Sequence, residues 1–221
     1  MTFDWAFLLG TLPAFFRALG LTVELGLIAI ATSSLVALLC SSVLLLRLPV
    51  LGVLVRAYVE LARNTPLLIQ LFFIYFALPS LGLKLSGYSS AIVALTFMGG
   101  AYLTEVLRAG IEAVPRTQVE AGMAIGLSRW QLFRHVILPQ AGVFSLPALF
   151  ANFIFLVKET TVVSAVAVPE LLYTTKNYIG LYSKTYEMLA VMTALCVLLF
   201  VPLSLLFRAL ERRLRHAQFG S

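Results

Sequence analysis

Pro115-Arg-Thr-Gln-Val-Glu-Ala-Gly-Met-Ala-Ile-Gly-Leu-Ser-Arg-Trp-Gln-Leu-Phe-Arg-His-Val-Ile-Leu-Pro139 mixes polar and apolar residues and holds no apolar run long enough to cross a bilayer, although such runs flank it. Ser128 is a favourable helix N-cap. Trp130, Phe133 and Val136-Ile137 follow it at helical spacing, and Pro139 is expected to end the run. Gly126, just ahead of Ser128, supplies the backbone freedom for a sharp turn. The stretch therefore predicts a helix, a glycine turn and a second helix lying parallel to a membrane surface. It forms a loop over roughly residues 112–140.

Outward from this loop the chain is strongly apolar. Of 221 residues, 61% are hydrophobic and 12% charged, with a mean hydropathy of +0.98, far from the composition of soluble domains. Apolar segments run approximately from Leu19 to Leu46, Leu67 to Leu85, Ala91 to Leu107, Val143 to Val168 and Met188 to Phe207. Each is long enough to span with some tilt. The expected fold is an all-α integral membrane protein with about five transmembrane helices, a single transmembrane domain over 1–221. The opening Met1-Thr-Phe-Asp4-Trp5 has no basic n-region or cleavage site, so no cleaved signal peptide is expected. Cys40 and Cys196 sit inside apolar runs, where cysteine behaves as a small hydrophobe rather than a disulfide or metal ligand.

The net charge of +6 is carried by arginines at the ends of apolar segments, not by an aromatic-interleaved soluble patch, which disfavours a nucleic-acid partner and points to membrane lipid. Arg47, Arg56 and Arg63, then Arg108, Arg116, Arg129 and Arg134, then Arg208, Arg212, Arg213 and Arg215 fall on one side. Arg17, Lys84, Lys176 and Lys184 fall on the other. Excess arginine marks the cytoplasmic side, so the amino terminus is expected outside and the carboxyl terminus inside. Tyr88, Tyr173, Tyr178, Tyr182 and Tyr186 gather on the outer side as interfacial anchors.

No phosphate-binding loop, His-Glu-x-x-His, Gly-x-Ser-x-Gly or metal-spaced cluster occurs, and His135 and His216 are isolated, so an enzyme is not expected. Charges inside spans cost roughly 2.5–3.5 kcal/mol unless paired. Glu105, Lys158 and Glu159 fall in or near spans, and Thr160-Thr161 follow them. Two readings stand for this segment. Lys158 and Glu159 supply the opposite charges that a zwitterionic amino acid needs. Alternatively, Lys158 pairs with Glu105 or snorkels while Glu159 fixes packing. Glu24, near the outer end of the first span, reads as interfacial. An ion-coupled secondary transporter of a small polar solute is the alternative function, but such folds carry internal repeats and none is evident in this sequence.

Glu120-Ala-Gly-Met-Ala-Ile-Gly126 followed by Val136-Ile-Leu-Pro139 resembles the EAA motif of ABC importer permeases, with matching spacing and with Gly122 and Val136 as substitutions. Arg63-Asn-Thr-Pro-Leu-Leu-Ile-Gln70, Gly100-Ala-Tyr-Leu-Thr-Glu105 and Val157-Lys-Glu-Thr-Thr161 resemble the polar-amino-acid branch, the histidine, glutamine and cystine type, over nearly the whole chain. Asn64 stands where that branch usually has glycine. The resemblance implies the type I importer permease fold with a cytoplasmic coupling-helix loop. It also implies an ATPase-docking set of Glu120, Ala121, Gly122, Gly126, Leu127, Ser128 and Arg129, with Arg134 on its rim. The implied substrate pathway comprises Asn64, Gln70, Tyr102, Glu105, Lys158, Glu159, Thr160 and Thr161. The implied partners are an ABC ATPase subunit that holds the ATP and Mg, a second permease copy or homologous permease, and an extracytoplasmic substrate-binding protein. The chain itself is expected to bind no cofactor. Its expected place is the inner membrane, and its expected cargo is a polar amino acid or related compound.

Overall fold

The computed structural model describes residues 3–219, with side chains through Leu214, so Arg215 and His216 lie outside the described side chains. Nine α-helices follow in order: α1 Trp5–Leu45, α2 Pro49–Asn64, α3 Leu67–Phe72, α4 Gly87–Glu112, α5 Arg116–Ala124, α6 Arg129–Leu132, α7 Leu138–Glu159, α8 Leu171–Tyr182 and α9 Thr185–Phe219, with no strand among the described residues. Four continuous helical segments are long and apolar enough to span: α1, α4, Arg129–Val166 and Thr185–Leu214. Pro49–Asn64 and Leu67–Leu81 pass the same length and composition test only together, across a bend of 107°, which brings the count to four or five. The expected all-α fold with about five spans holds, but its helix ends differ from those read in the sequence.

The first helix begins at Trp5, not near Leu19, and its 41 residues measure about 60 Å, twice a bilayer core. Its extra turns are buried against α8 and α9 through Phe15, Leu171, Met188, Val191 and Leu195. Asp4 caps it, accepting the Phe7 amide (3.0 Å) and pairing with Lys184 (3.0 Å), while its own amide donates to Glu187 (3.1 Å). The Phe7 amide and Lys184 hold the Asp4 carboxyl below its ordinary range. Near the middle of α1, Glu24 accepts the Tyr88 hydroxyl from the start of α4 (2.5 Å).

The segment Leu67–Leu85 is not one straight span. Thr65 is extended before Pro66, as a residue preceding proline prefers, and α3 restarts at a steep angle. Two π-helical turns, Phe73–Ala77 and Phe133–Ile137, are each followed at once by Leu-Pro. In each, the leucine amide reaches back five residues, from Leu78 to the Phe73 carbonyl and from Leu138 to the Phe133 carbonyl. The widened turn relieves the clash that proline imposes on the preceding turn. Pro139 therefore does not stop the helix that starts at Arg129. The second half of the loop runs straight into the Arg129–Val166 span, where the sequence suggested a separate short helix.

The main core joins α1, α4 and α7 through Leu25, Ala29, Leu95, Met98 and Leu156. Gly99 and Gly100 make this contact possible: a side chain at Gly99 would strike Ser33 and Leu156, and one at Gly100 would meet Val36 Cγ1 at 2.6 Å and the Tyr58 hydroxyl at 2.7 Å. Small residues of this kind let membrane helices approach closely.

Candidate docking loop and translocation cleft

Helix α5 ends in a Schellman turn. The Gly126 amide donates to the Met123 carbonyl (3.0 Å) and the Leu127 amide to the Gly122 carbonyl (3.1 Å), with Gly126 at φ +80°. Ser128 then opens α6 with a reciprocal capping box: its hydroxyl accepts the Gln131 amide, and Gln131 Oε1 accepts the Ser128 amide (2.9 Å). Glycine turn and serine cap thus stand where the sequence located them. Gly122 is buried against Leu132, whose Cδ1 would lie 2.5 Å from an added Cβ, and this contact sets the angle between α5 and α6. Around the turn, Glu120, Ala121, Ser128 and Arg129 are exposed and Leu127 is half-buried. The surface also presents Met123, Ile125 and Trp130, exposed to 55%, 78% and 64%, none of them in the docking set that the sequence resemblance implies.

Toward the bilayer, Arg63 at the end of α2 meets α4. Its guanidinium lies 3.3 Å from Glu105 Oε2 and 5.6 Å from the centre of the Tyr102 ring. Arg108 grips the same carboxylate (2.8 Å) and also Glu112 (2.5 Å). Arg63, Tyr102, Glu105 and Asn152 line an open cleft of about 420 Å³ between α4 and α7. Glu105 is therefore paired with arginines, not with Lys158, whose ammonium lies 5.4 Å above the Phe200 ring. Arg63, Arg108 and Asn152 were absent from the sequence-derived pathway. Arg63 was legible as part of the Arg63-to-Gln70 motif, but its pairing with a residue 42 positions away was not.

The other pathway candidates lie outside this cleft. Gln70 is buried inside the bend, where its Nε2 donates to the Ala62 carbonyl (2.9 Å), the Thr65 carbonyl (3.0 Å) and the Thr65 hydroxyl (2.8 Å). Asn64 is exposed and donates to the Glu60 carbonyl (2.8 Å) and carboxylate (3.0 Å). Thr160 is fully buried and bonded to the Val157 carbonyl (2.7 Å), and the Thr161 hydroxyl bonds the Lys158 carbonyl (2.9 Å). Lys158 is exposed, and Glu159 is half-buried with no ion-pair partner among the described residues.

Residues 29–216 match the family described as binding-protein-dependent transport system inner membrane component. The chain is 34% identical over 175 residues to the probable amino-acid ABC transporter permease protein PatM of Vibrio harveyi, covering 78% of each chain. It is 32% identical to the probable amino-acid permease protein YxeN of Bacillus subtilis, covering 97% of this chain and 99% of that one. Among solved structures, an amino acid ABC transporter with histidines superposes with a TM-score of 0.92 at 30% identity, over 96% of this chain and 100% of that one. The MetNI methionine ABC transporter, at 21% identity and a TM-score of 0.77, shares the fold. With a fold, an EAA loop and a sequence match that coincide along most of its length, the chain belongs to the binding-protein-dependent inner membrane component family, as an ABC importer permease of the amino-acid type.

Proposed function

We propose that this chain translocates a polar amino acid or related compound across the inner membrane, driven by ATP hydrolysis on a separate subunit that holds the ATP and Mg. The exposed Met123, Ile125 and Trp130 around the Gly126 turn carry this reading, because apolar side chains grouped at a rigid helix junction suit a protein partner better than water. Glu120, Ala121, Gly122, Leu127, Ser128 and Arg129 complete the proposed docking surface. The arginine-rich end that bears it is the cytoplasmic end, which puts the amino terminus outside and the carboxyl terminus inside. Closure of the ATPase would push on α5 and α6. Because α6 continues through the π turn into α7, the push tilts that span and changes the cleft between α4 and α7.

In the cleft, Arg63 is the partner for a cargo carboxylate, and Glu105 with Asn152 for its ammonium group. Tyr102 closes one side. Lys158, Glu159, Thr160 and Thr161 extend the pathway from the far end of α7, and Asn64 and Gln70 shape it at the α2 to α3 bend. Relatives named for glutamine transport support the cargo class. A second permease copy or homologous permease completes the pathway, and an extracytoplasmic binding protein delivers the cargo. The residues 1–221 act as one transmembrane domain. The test is co-purification with the ATPase subunit encoded beside this chain. Wild type is expected to retain it and Gly126→Asp to lose it, whereas equal retention by both would remove the docking assignment.

A further inference from the structure

A second cavity, of about 590 Å³, opens at the α5 end between the end of α1, α2 and the end of α4. Arg47, Arg56 and Arg108 line it, with Glu60, Glu105 and Glu112. The charges do not cancel pairwise. Arg108 is committed to Glu105 and Glu112, and Arg63 also leans on Glu105, whereas Arg47 and Arg56 have no carboxylate within ion-pair distance among the described residues. Ser41 lines the same wall with a hydroxyl that makes no hydrogen bond. Arg47 occupies the left-handed corner between α1 and α2 at φ +52°. Arg56 folds back over Gly52, its nitrogens 3.6 and 3.9 Å from where a side chain there would begin.

Beside the cavity the surface is hydrocarbon: Leu45, in its lining, Leu46, next to Arg47, and Val53, one turn before Arg56, are exposed to 42%, 68% and 57%. A water-facing anion site has no use for such a flank, and the ATPase has its proposed surface on α5 and α6. We propose that this corner binds an anionic membrane phospholipid, its phosphate between Arg47 and Arg56 and its acyl chains along Leu45, Leu46 and Val53. Basic pockets between membrane helices take lipid phosphates in this way, each arginine strengthening attraction to an anionic surface by roughly fivefold. The site lies apart from the cargo cleft, on the other face of Glu105, and does not depend on the cargo assignment.

The test is native mass spectrometry of the full chain with its ATPase partner, in detergent doped with phosphatidylglycerol, phosphatidylcholine or inorganic phosphate. Wild type is expected to retain phosphatidylglycerol over phosphatidylcholine, and an excess of inorganic phosphate should not displace it. Arg47→Gln with Arg56→Gln should weaken retention roughly 25-fold. Gly52→Leu, which changes no charge but displaces Arg56, should weaken it several-fold, while Arg17→Gln at the opposite end should leave it unchanged. Undiminished lipid retention in both the double variant and Gly52→Leu would overturn the proposal. So would displacement by inorganic phosphate, which would mark a free-anion site. Loss of the ATPase subunit with lipid retention intact would mark a protein contact instead.

Discussion

Replacing Gly126 isolates backbone strain from crowding. A Cβ built at this position meets nothing within 4 Å, so any cost of a substitution comes from φ +80° alone. Left-handed backbone costs an ordinary residue about 1–2 kcal/mol, less for asparagine, whose short polar side chain bonds locally, and more for a β-branched residue. The turn is closed by the Gly126 and Leu127 amides on the Met123 and Gly122 carbonyls, and it lies at the surface, so the strain is released when the turn opens. Opening of the turn should therefore become roughly 5- to 30-fold more frequent in Gly126→Ala. Hydrogen exchange of the peptide spanning residues 116–132 reads this directly. The expected order of exchange rate is wild type, then Gly126→Asn, Gly126→Ala and Gly126→Val, and affinity for the ATPase subunit should fall in the same order. Exchange in Gly126→Ala equal to wild type, or slower in Gly126→Val than in Gly126→Asn, would refute the strain argument.

Gln70→Leu removes the donor that ties the Ala62 and Thr65 carbonyls together across the bend, and should cost about 2 kcal/mol, visible as a lower melting temperature in detergent. Glu170, fully buried at the start of α8, is pushed by burial up to about 7, against the Leu172 and Tyr173 amides and Lys176, which act the other way. The folded state thus holds this proton more tightly than the unfolded chain, whose carboxyl titrates near 4.5, so the stabilisation is complete below that pH and is lost as pH rises through about 7. Glu170→Gln should flatten the decline in melting temperature between about pH 5 and pH 8, and a wild-type profile already flat there would count against the assignment. Glu159→Ala should lower cargo-stimulated uptake while leaving assembly with the ATPase intact. Normal uptake would remove Glu159 from the pathway.

Local signals were legible and long-range ones were not. Gly126 and Ser128 announce their turn and cap because the chemistry closes within five residues. The early start of α1 was hidden by Pro13 and Arg17, which interrupt the hydropathy, and its reason lies in α8 and α9, far along the chain. Pro139 reads as a stop, and only the π turn ahead of it explains why the helix continues. The Arg63 to Glu105 pair joins separate helices, and no periodicity reports such a meeting.

The π turns at Phe73–Ala77 and Phe133–Ile137 also act as phase shifters. Each holds one residue more than an α-turn would, so everything beyond it is rotated by about 100° about the helix axis relative to an uninterrupted helix. A helical wheel drawn from Trp130 through Phe144 without that offset assigns later side chains to the wrong azimuth. Deleting a single residue from Phe133–Ile137 would restore α-helical winding and turn the face carrying Ser145 and Asn152 away from the cleft, while keeping nearly every residue of the span. Register, as well as composition, is thus written into the five residues ahead of Leu138-Pro139.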